Sequence, residues 1–139
     1  MAKKINSPRK KFTRQELRDL DLEIVFYEGI LRRDPCYVEL LQMLGDDYTR
    51  RGRYDEGLKL DERLTRLRPK DAVVRYNLAC SYSLTRQIDL AFQALRAAIR
   101  LGYRDFKSLD KDPDLDNLRE HIEYKKIRAN MRELHPKAS

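Results

Sequence analysis

The sequence has 139 residues, of which 38% are charged and 41% hydrophobic, and it contains only five glycines and five prolines. This composition is typical of one mainly helical, soluble domain. No run of about 18 apolar residues occurs, which argues against a membrane-spanning helix, and the first residues do not resemble a signal peptide.

The net charge of +7 is concentrated at the start of the chain. Residues 1–14 contain six basic side chains and no acidic one, which leaves 24 basic and 23 acidic residues for the remainder. The six are Lys3, Lys4, Arg9, Lys10, Lys11 and Arg14. Because residues 1–12 show no hydrophobic period, we predict a disordered basic tail. It either serves only solubility or binds nucleic acid or an anionic membrane surface.

The first predicted helix follows this tail. Thr13 and Glu16 have the spacing of a capping box, in which the hydroxyl and the carboxylate each accept a hydrogen bond from a free backbone amide. Apolar residues then recur at three- and four-residue steps as far as about Arg33. Asp34 and Pro35 end the helix, because proline cannot continue the hydrogen-bond ladder.

The central stretch has a pattern that recurs with a period of about 34 residues, and repetition at this period indicates a helical-repeat array. We predict a half repeat over 13–35, one repeat over 36–71 with helices at about 36–50 and 54–67, and a second repeat over 72–105. The recurring positions are Leu44-Gly45 with Leu78-Ala79, Tyr48 with Tyr82, Tyr54 with Ile88, and Gly57 with Ala91. The glycines and alanines among them allow two helices to pack closely.

The last part, 106–135, has no good match to this period and is expected to cap the array. Gly102 predicts a helix end. Asp112 and Pro113 predict an N-cap and a short helix at about 113–119, and a last helix runs to about Leu134. The alternating acidic run of Asp110, Asp112, Asp114 and Asp116 lacks the glycine and the final glutamate of a calcium loop. We therefore predict that it forms a solvated turn with helix caps.

The pattern of Leu44-Gly45, Tyr48, Gly52, Tyr54, Gly57 and Pro69 resembles the tetratricopeptide repeat family, and the ending resembles that of bacterial members. The resemblance implies an all-α fold, a right-handed α-solenoid of antiparallel helix pairs. This chain departs from the pattern at Asp61, Arg75 and Arg86. The family also implies a groove, lined by the first helix of each pair, that binds a peptide or a helix of a partner protein.

Helical geometry at about 100° per residue selects the side chains that would face this groove. They are Glu39, Gln42, Asp46, Thr49, Val73, Tyr76, Asn77, Cys80 and Ser83. We refer to these nine residues as the predicted groove. One end of it is acidic and polar and the other apolar and aromatic, with Tyr76 as an exposed contact residue. A basic or amphipathic segment suits such a surface.

Residues for catalysis or for a metal are scattered. Cys36, Cys80, His121 and His135 form no pair with ligand spacing, and no phosphate-binding loop occurs. We predict no enzyme activity, no cofactor and no metal. Two unpaired cysteines fit reduced thiols in the cytoplasm. The leading hypothesis is a non-enzymatic adaptor for another protein, with tail-mediated binding or self-association as alternatives.

Overall fold

The computed structural model describes residues 11–134, with side chains as far as Met131, and all regular structure in this range is helical. The predicted all-α class is therefore confirmed. Lys3, Lys4, Arg9 and Lys10 lie outside the described residues. The eight α-helices are α1 (Arg14–Arg33), α2 (Val38–Arg51), α3 (Tyr54–Leu67), α4 (Ala72–Leu84), α5 (Ile88–Arg100), α6 (Phe106–Lys111), α7 (Asp116–Arg119) and α8 (Ile122–Leu134). A 3-10 turn, Pro113–Leu115, lies between α6 and α7.

The capping box predicted for α1 is present. The Glu16 amide donates to Thr13 Oγ1 over 3.1 Å, and the Thr13 amide donates to Glu16 Oε1 over 2.9 Å. Each bond satisfies an amide that has no partner inside the helix. Arg14 is the first residue of α1, so it does not belong to the basic tail in which the sequence pattern placed it.

Helix α2 begins at Val38, two residues later than expected. The Tyr37 amide donates to the Asp34 carbonyl over 3.3 Å, so residues 34–37 form a turn instead of the first turn of the helix. Proline inside this turn is consistent with that outcome, because it fixes φ at about −65° and has no amide to donate. The predicted span of α3 is matched.

The two helix pairs α2–α3 and α4–α5 share the same turn geometry. Gly52 and Arg86 occupy equivalent positions in the two pairs, and their φ angles of 82° and 63° lie in the left-handed region. In each turn the following amide, of Arg53 or Gln87, donates over 2.8 Å to the carbonyl of a tyrosine, Tyr48 or Tyr82. Arg86 therefore adopts a backbone conformation that costs less free energy for glycine than for a residue with a side chain.

A tertiary hydrogen bond also recurs with the period of the sequence. Tyr48 Oη donates to Glu28 Oε2 over 2.6 Å, and Tyr82 Oη donates to Glu62 Oε2 over 3.2 Å. Both members of the second pair lie one period after those of the first. The repetition in the sequence is thus matched by an equivalent contact between consecutive helices, α1 with α2 and α3 with α4.

Two apolar clusters form the core. One joins α1, α2 and α3, where Ile24, Leu41 and Leu64 are almost completely buried. The other joins α4 and α5 to residues 103–134, which we call the C-terminal segment and in which Leu109, Leu115 and Leu118 have no exposed surface. The C-terminal segment is therefore part of the domain core and contacts α4 as well as α5.

Candidate functional site

Tyr76 is buried, contrary to the prediction that it is an exposed contact residue. Its ring stacks on Tyr103, with centroids 4.3 Å apart and an angle of 6° between the planes. Its hydroxyl donates to Asp112 Oδ2 over 2.7 Å. Burial is the main cause that raises the pKa of Tyr76, and the Asp112 carboxylate adds to it. The hydroxyl is thus a hydrogen-bond donor at neutral pH and not available to a partner.

The same C-terminal segment covers two further residues of the apolar end of the predicted groove. Cys80 and Ser83 are buried, and Asn117 Nδ2 donates to the Ser83 carbonyl over 2.9 Å. The prediction that Tyr76 and Ser83 line an open surface is therefore wrong, whereas Cys80 is largely buried but lines the cavity described below. The physical reason is that this face of α4 is apolar, so the chain gains free energy by burying it against its own following residues.

The acidic half of the predicted groove remains accessible. Glu39, Gln42 and Asp46 are exposed on α2, and Thr49 is partly buried. Val73, at the start of α4, is also exposed, and Asn77 is partly buried. The structure therefore brings together only part of the predicted set.

A cavity of about 220 Å³ lies between α2, α3, α4 and the 3-10 turn. Its wall contains four aspartates from three different elements, and small or polar groups complete it. The lining residues are Gln42, Gly45, Asp46, Thr49, Asp61, Asn77, Cys80, Ser81, Asp112 and Asp114, which we call the acidic pocket. Among these lining residues there is no basic side chain. Asp46 pairs with Arg50 outside the lining set, over 2.8 Å, and both side chains are more than half exposed.

Asp61 is the most perturbed of these carboxyl groups. It is partly buried in α3 and accepts a short hydrogen bond from Ser81 Oγ. Burial raises its pKa to about 7, the Asp114 and Asp46 carboxylates act in the same direction, and the Ser81 hydrogen bond opposes them. A cation entering the acidic pocket would favour the ionised form, because opposite charges stabilise each other at short range.

Asp112 connects the acidic pocket to the C-terminal segment. Its Oδ1 accepts from the Asp114 amide over 3.0 Å, which confirms the predicted N-cap, and its Oδ2 accepts from Tyr76. The Cys80 thiol donates to the same oxygen over 3.8 Å. One ligand atom each of Cys80, Asp112 and Asp114 lie within 4.8 Å of one another. Burial raises the pKa of the Cys80 thiol, followed by the Asp112 carboxylate, so the thiol stays protonated and is a poor metal ligand.

The acidic run of the C-terminal segment contains the predicted helix cap at Asp112, but Asp110 and Asp116 are paired with arginines and do not face solvent alone. Asp110 Oδ1 and Oδ2 accept from Arg128 over 2.8 and 3.0 Å, and Asp110 also accepts from Tyr124. Asp116 pairs with Arg119, whose Nη2 donates to two backbone carbonyls. These contacts hold the segment in position, and they place Asp112 and Asp114 in the wall of the acidic pocket.

Sequence reasoning missed Asp61, Ser81, Asp112 and Asp114 as pocket residues. Asp61 carried a signal, because it is an aspartate at a position where the repeat pattern favours a large apolar side chain. No comparable signal exists for Asp112, whose contact with Tyr76 spans 36 residues of sequence.

Of the predicted basic tail, Lys11 is described and is exposed. Phe12 is partly buried and lies in a second surface depression, next to the acidic pocket. The two cavities have Asp46, Thr49, Asp112 and Asp114 in common. We call this second depression, whose wall also contains Arg50 and Arg51, the entrance. The described chain therefore begins beside the acidic pocket.

These features define an all-helical protein in which consecutive helices and a C-terminal segment enclose an acidic pocket. No helix in residues 11–134 has the length and apolar character needed to cross a bilayer. No family model matches the chain. The chain is similar to a chloroplastic protein of Arabidopsis thaliana, with 35% identity over 83 residues. That region covers 58% of this chain and 25% of the Arabidopsis protein, so the chain spans about a quarter of that relative's length.

Proposed function

We propose that this protein is a tetratricopeptide-repeat scaffold without enzyme activity, which binds a basic peptide or helix of another protein in the acidic pocket. The proposed architecture is a right-handed α-solenoid with two full repeats, a leading half repeat and a capping segment. The periodic recurrence of the Tyr–Glu hydrogen bond and of the left-handed turn supports this architecture.

The acidic lining of the pocket carries the proposal for the partner. Four carboxyl groups surround a cavity of about 220 Å³, large enough for a lysine or arginine side chain but small for a folded segment. The partner's backbone would therefore lie along the exposed face of α2, at Glu39, Gln42 and Asp46. Charge complementarity of this kind favours a basic partner and disfavours an acidic one.

The test is fluorescence anisotropy with short labelled peptides that differ only in lysine, glutamine or glutamate content. We expect the lysine peptides to bind and the glutamate peptides not to bind at low ionic strength. The double variant Asp46→Asn with Asp114→Asn should weaken binding by up to about thirtyfold, since each of the two ion pairs contributes up to ~1 kcal/mol and ~1.4 kcal/mol corresponds to a factor of ten. A double variant of two exposed aspartates outside the pocket, Asp55→Asn with Asp89→Asn, serves as the matched control. Equal losses of peptide affinity in the two double variants would refute the proposed site.

Self-association is a second candidate, and the surface of α1 favours it. Leu22, Val25 and Phe26 are 70%, 62% and 64% exposed on adjacent turns of this helix. Leu60, at the position in α3 equivalent to Phe26, is buried beside Gly45 of α2, so α3 has a covering helix where α1 has none among the described residues. A second copy would cover Phe26. Light scattering of the wild type and of a Phe26→Ser variant tests this, and a monomeric wild type at high concentration would exclude it.

Two further predictions, on the basic tail and on the location of the protein in the cell, remain predictions. Binding of nucleic acid or an anionic membrane by the basic tail involves Lys3, Lys4, Arg9 and Lys10, outside the described residues. A cytoplasmic location also stays a prediction, and the name of the Arabidopsis relative gives a chloroplast location for that protein.

A further inference from the structure

Exposed basic residues are concentrated at one end of the helices. Consecutive helices from α1 to α5 pack on each other and are joined by short connections, so they alternate in direction. The stretches 32–37, 66–73 and 100–107, where α1, α3 and α5 end and α2, α4 and α6 begin, therefore lie at the same end. They contain eight basic side chains, all exposed, which we call the basic edge. Its members are Arg32, Arg33, Arg66, Arg68, Lys70, Arg100, Arg104 and Lys107.

The three stretches are also close to each other in space. Arg63 Nη1 donates to the Pro35 carbonyl over 3.4 Å, which connects the last part of α3 to the first stretch. Arg75 Nη2 donates to the Pro69 carbonyl over 2.9 Å, and Arg75 and Arg100 line the same surface depression. The basic edge is therefore one continuous surface across three consecutive connections.

A lack of ion pairs distinguishes the basic edge from the opposite end of the helices. Arg50, Arg51 and Arg53, at the α2–α3 turn, each pair with an aspartate or a glutamate. Within residues 11–134, none of the eight members of the basic edge has such a partner. Arg104 donates to backbone carbonyls, which leaves its positive charge in place. The charge of this surface is therefore available to an anionic ligand.

The acidic residues of the same surface are too few to neutralise it. The three stretches contain Asp34, Asp71 and Asp105, and the last two are helix N-caps that accept hydrogen bonds from backbone amides. Just beyond the stretches, Glu39 in the first turn of α2 and Arg75 in the first turn of α4 offset each other. Eight basic against three acidic side chains leave a net charge of +5.

Each of the three stretches also exposes one large apolar side chain. Tyr37, Val73 and Leu101 are 44%, 53% and 38% exposed. Valine and leucine cannot stack on nucleic-acid bases, which is how aromatic side chains bind single strands. Apolar side chains surrounded by lysine and arginine are typical of surfaces that lie in the headgroup region of a bilayer, where tyrosine is also favoured. The combination favours a lipid surface over a nucleic acid.

We propose that the basic edge binds the surface of an anionic membrane. The lipid phosphates and carboxylates lie opposite the guanidinium and ammonium groups, and Tyr37, Val73 and Leu101 enter among the headgroups. This inference does not depend on the acidic pocket. The entrance contains Gly52 and Tyr54 of the α2–α3 turn, at the opposite end of the helices, so the membrane-bound protein keeps the entrance accessible to a partner.

The first experiment is co-sedimentation of the full chain with vesicles at low ionic strength. We expect the wild type to bind vesicles of phosphatidylcholine that contain phosphatidylserine and not vesicles of phosphatidylcholine alone. The triple variant Arg32→Gln, Arg66→Gln and Arg100→Gln should bind at least about tenfold more weakly, since each basic residue near an anionic surface contributes a factor of roughly five. These three residues lie 34 positions apart, in the last turns of α1, α3 and α5.

A matched control removes the same charge from exposed residues in the first half of α1, the first half of α3 and the α4–α5 turn. It is the triple variant Arg14→Gln, Lys59→Gln and Arg86→Gln. Residues 1–10 are unchanged in both triple variants, so they cannot produce a difference between the two. The control should lose much less vesicle affinity than the first triple variant. Equal losses, no loss in the first variant, or no vesicle binding by the wild type would each overturn the proposal.

The second experiment locates the membrane contact. The chain contains no tryptophan, so an introduced tryptophan is a specific reporter. The emission of Leu101→Trp should shift to shorter wavelength when phosphatidylserine vesicles are added. Phe26→Trp, on the exposed face of α1, serves as the control and should not shift. A shift for Phe26→Trp alone would assign the contact to α1 and contradict the proposal.

A third measurement distinguishes lipid from nucleic acid. The wild type and the two triple variants are titrated with a fluorescein-labelled single-stranded DNA oligonucleotide. Because the proposed surface has no row of exposed aromatic side chains, we expect binding to the oligonucleotide to be weaker than binding to the anionic vesicles. Tighter binding to the oligonucleotide that is lost in the first triple variant would make the basic edge a nucleic-acid surface, and the membrane proposal would be wrong.

Discussion

The Asp61→Asn variant should stabilise the protein at neutral and alkaline pH. Asparagine has the same shape and still accepts the hydrogen bond from Ser81 Oγ, so the change removes the charge and leaves the contact in place. Burial raises the pKa of Asp61 from 3.8 to about 7. The folded state therefore retains a proton that the unfolded state has already released.

The magnitude follows from this difference. Each pKa unit corresponds to ~1.36 kcal/mol, so a rise of about three units gives a ceiling of about 4 kcal/mol. Because the Asp61 side chain keeps some contact with solvent, we expect about half of that, roughly 2 kcal/mol. The folded state binds more protons between about pH 4 and pH 7, so the free energy of unfolding of the wild type falls as the pH rises through that window.

The assay is urea denaturation of the wild type, Asp61→Asn and the control Asp55→Asn at several pH values from about 4 to 8. The difference between Asp61→Asn and the wild type should be close to zero at the acidic end and reach its full value above about pH 7. Asp55 is exposed on the same helix, so its variant should follow the wild-type curve near neutral pH. A stability difference for Asp61→Asn that does not change with pH would refute the reasoning. The variant should also bind basic peptides more weakly, since the pocket loses a carboxylate.

Four further variants test the fold and the titration of Asp47. Arg86→Gly should raise the melting temperature and Gly52→Ala should lower it, because a residue with a side chain costs about 1–2 kcal/mol in the left-handed conformation. A Cβ on Gly52 would meet no atom within 4 Å, so the effect of Gly52→Ala comes from the backbone conformation and not from a clash. Leu118→Ala should lower the free energy of unfolding by about 2–5 kcal/mol in urea titrations, because the side chain is completely buried. Asp47→Asn should reduce the loss of stability between about pH 4 and 7, because burial and Glu23 raise the Asp47 pKa to about 7 in the folded state.

The helices could be predicted because their signals are local. Thr13 with Glu16 marks the start of α1, Asp34 with Pro35 marks its end, and Gly102 follows the last turn of α5. Hydrogen bonds between residues three or four positions apart decide such boundaries, and the residues that make them are adjacent in the sequence. The start of α2 was less predictable, because Tyr37 at its N-cap provides no side-chain hydrogen bond.

The acidic end of the site could be predicted in part. Gln42 and Asp46 follow from helix geometry once the repeat is recognised, and both line the acidic pocket. Asp61 could be noticed only as a departure from the repeat pattern. Its raised pKa depends on three other elements of the fold, which no pattern within α3 reveals.

By itself, the sequence determined the helical class, the periodic recurrence and the position of most helix ends, since all three depend on local hydrogen bonds and hydrophobic periodicity. Only the tertiary structure decided which part of the predicted groove is open. The C-terminal segment buries Tyr76, Cys80 and Ser83 and contributes Asp112 and Asp114 to the pocket. These contacts join parts of the chain that are far apart in sequence, and they form because the apolar face of α4 is more stable when buried against the chain than when exposed to water.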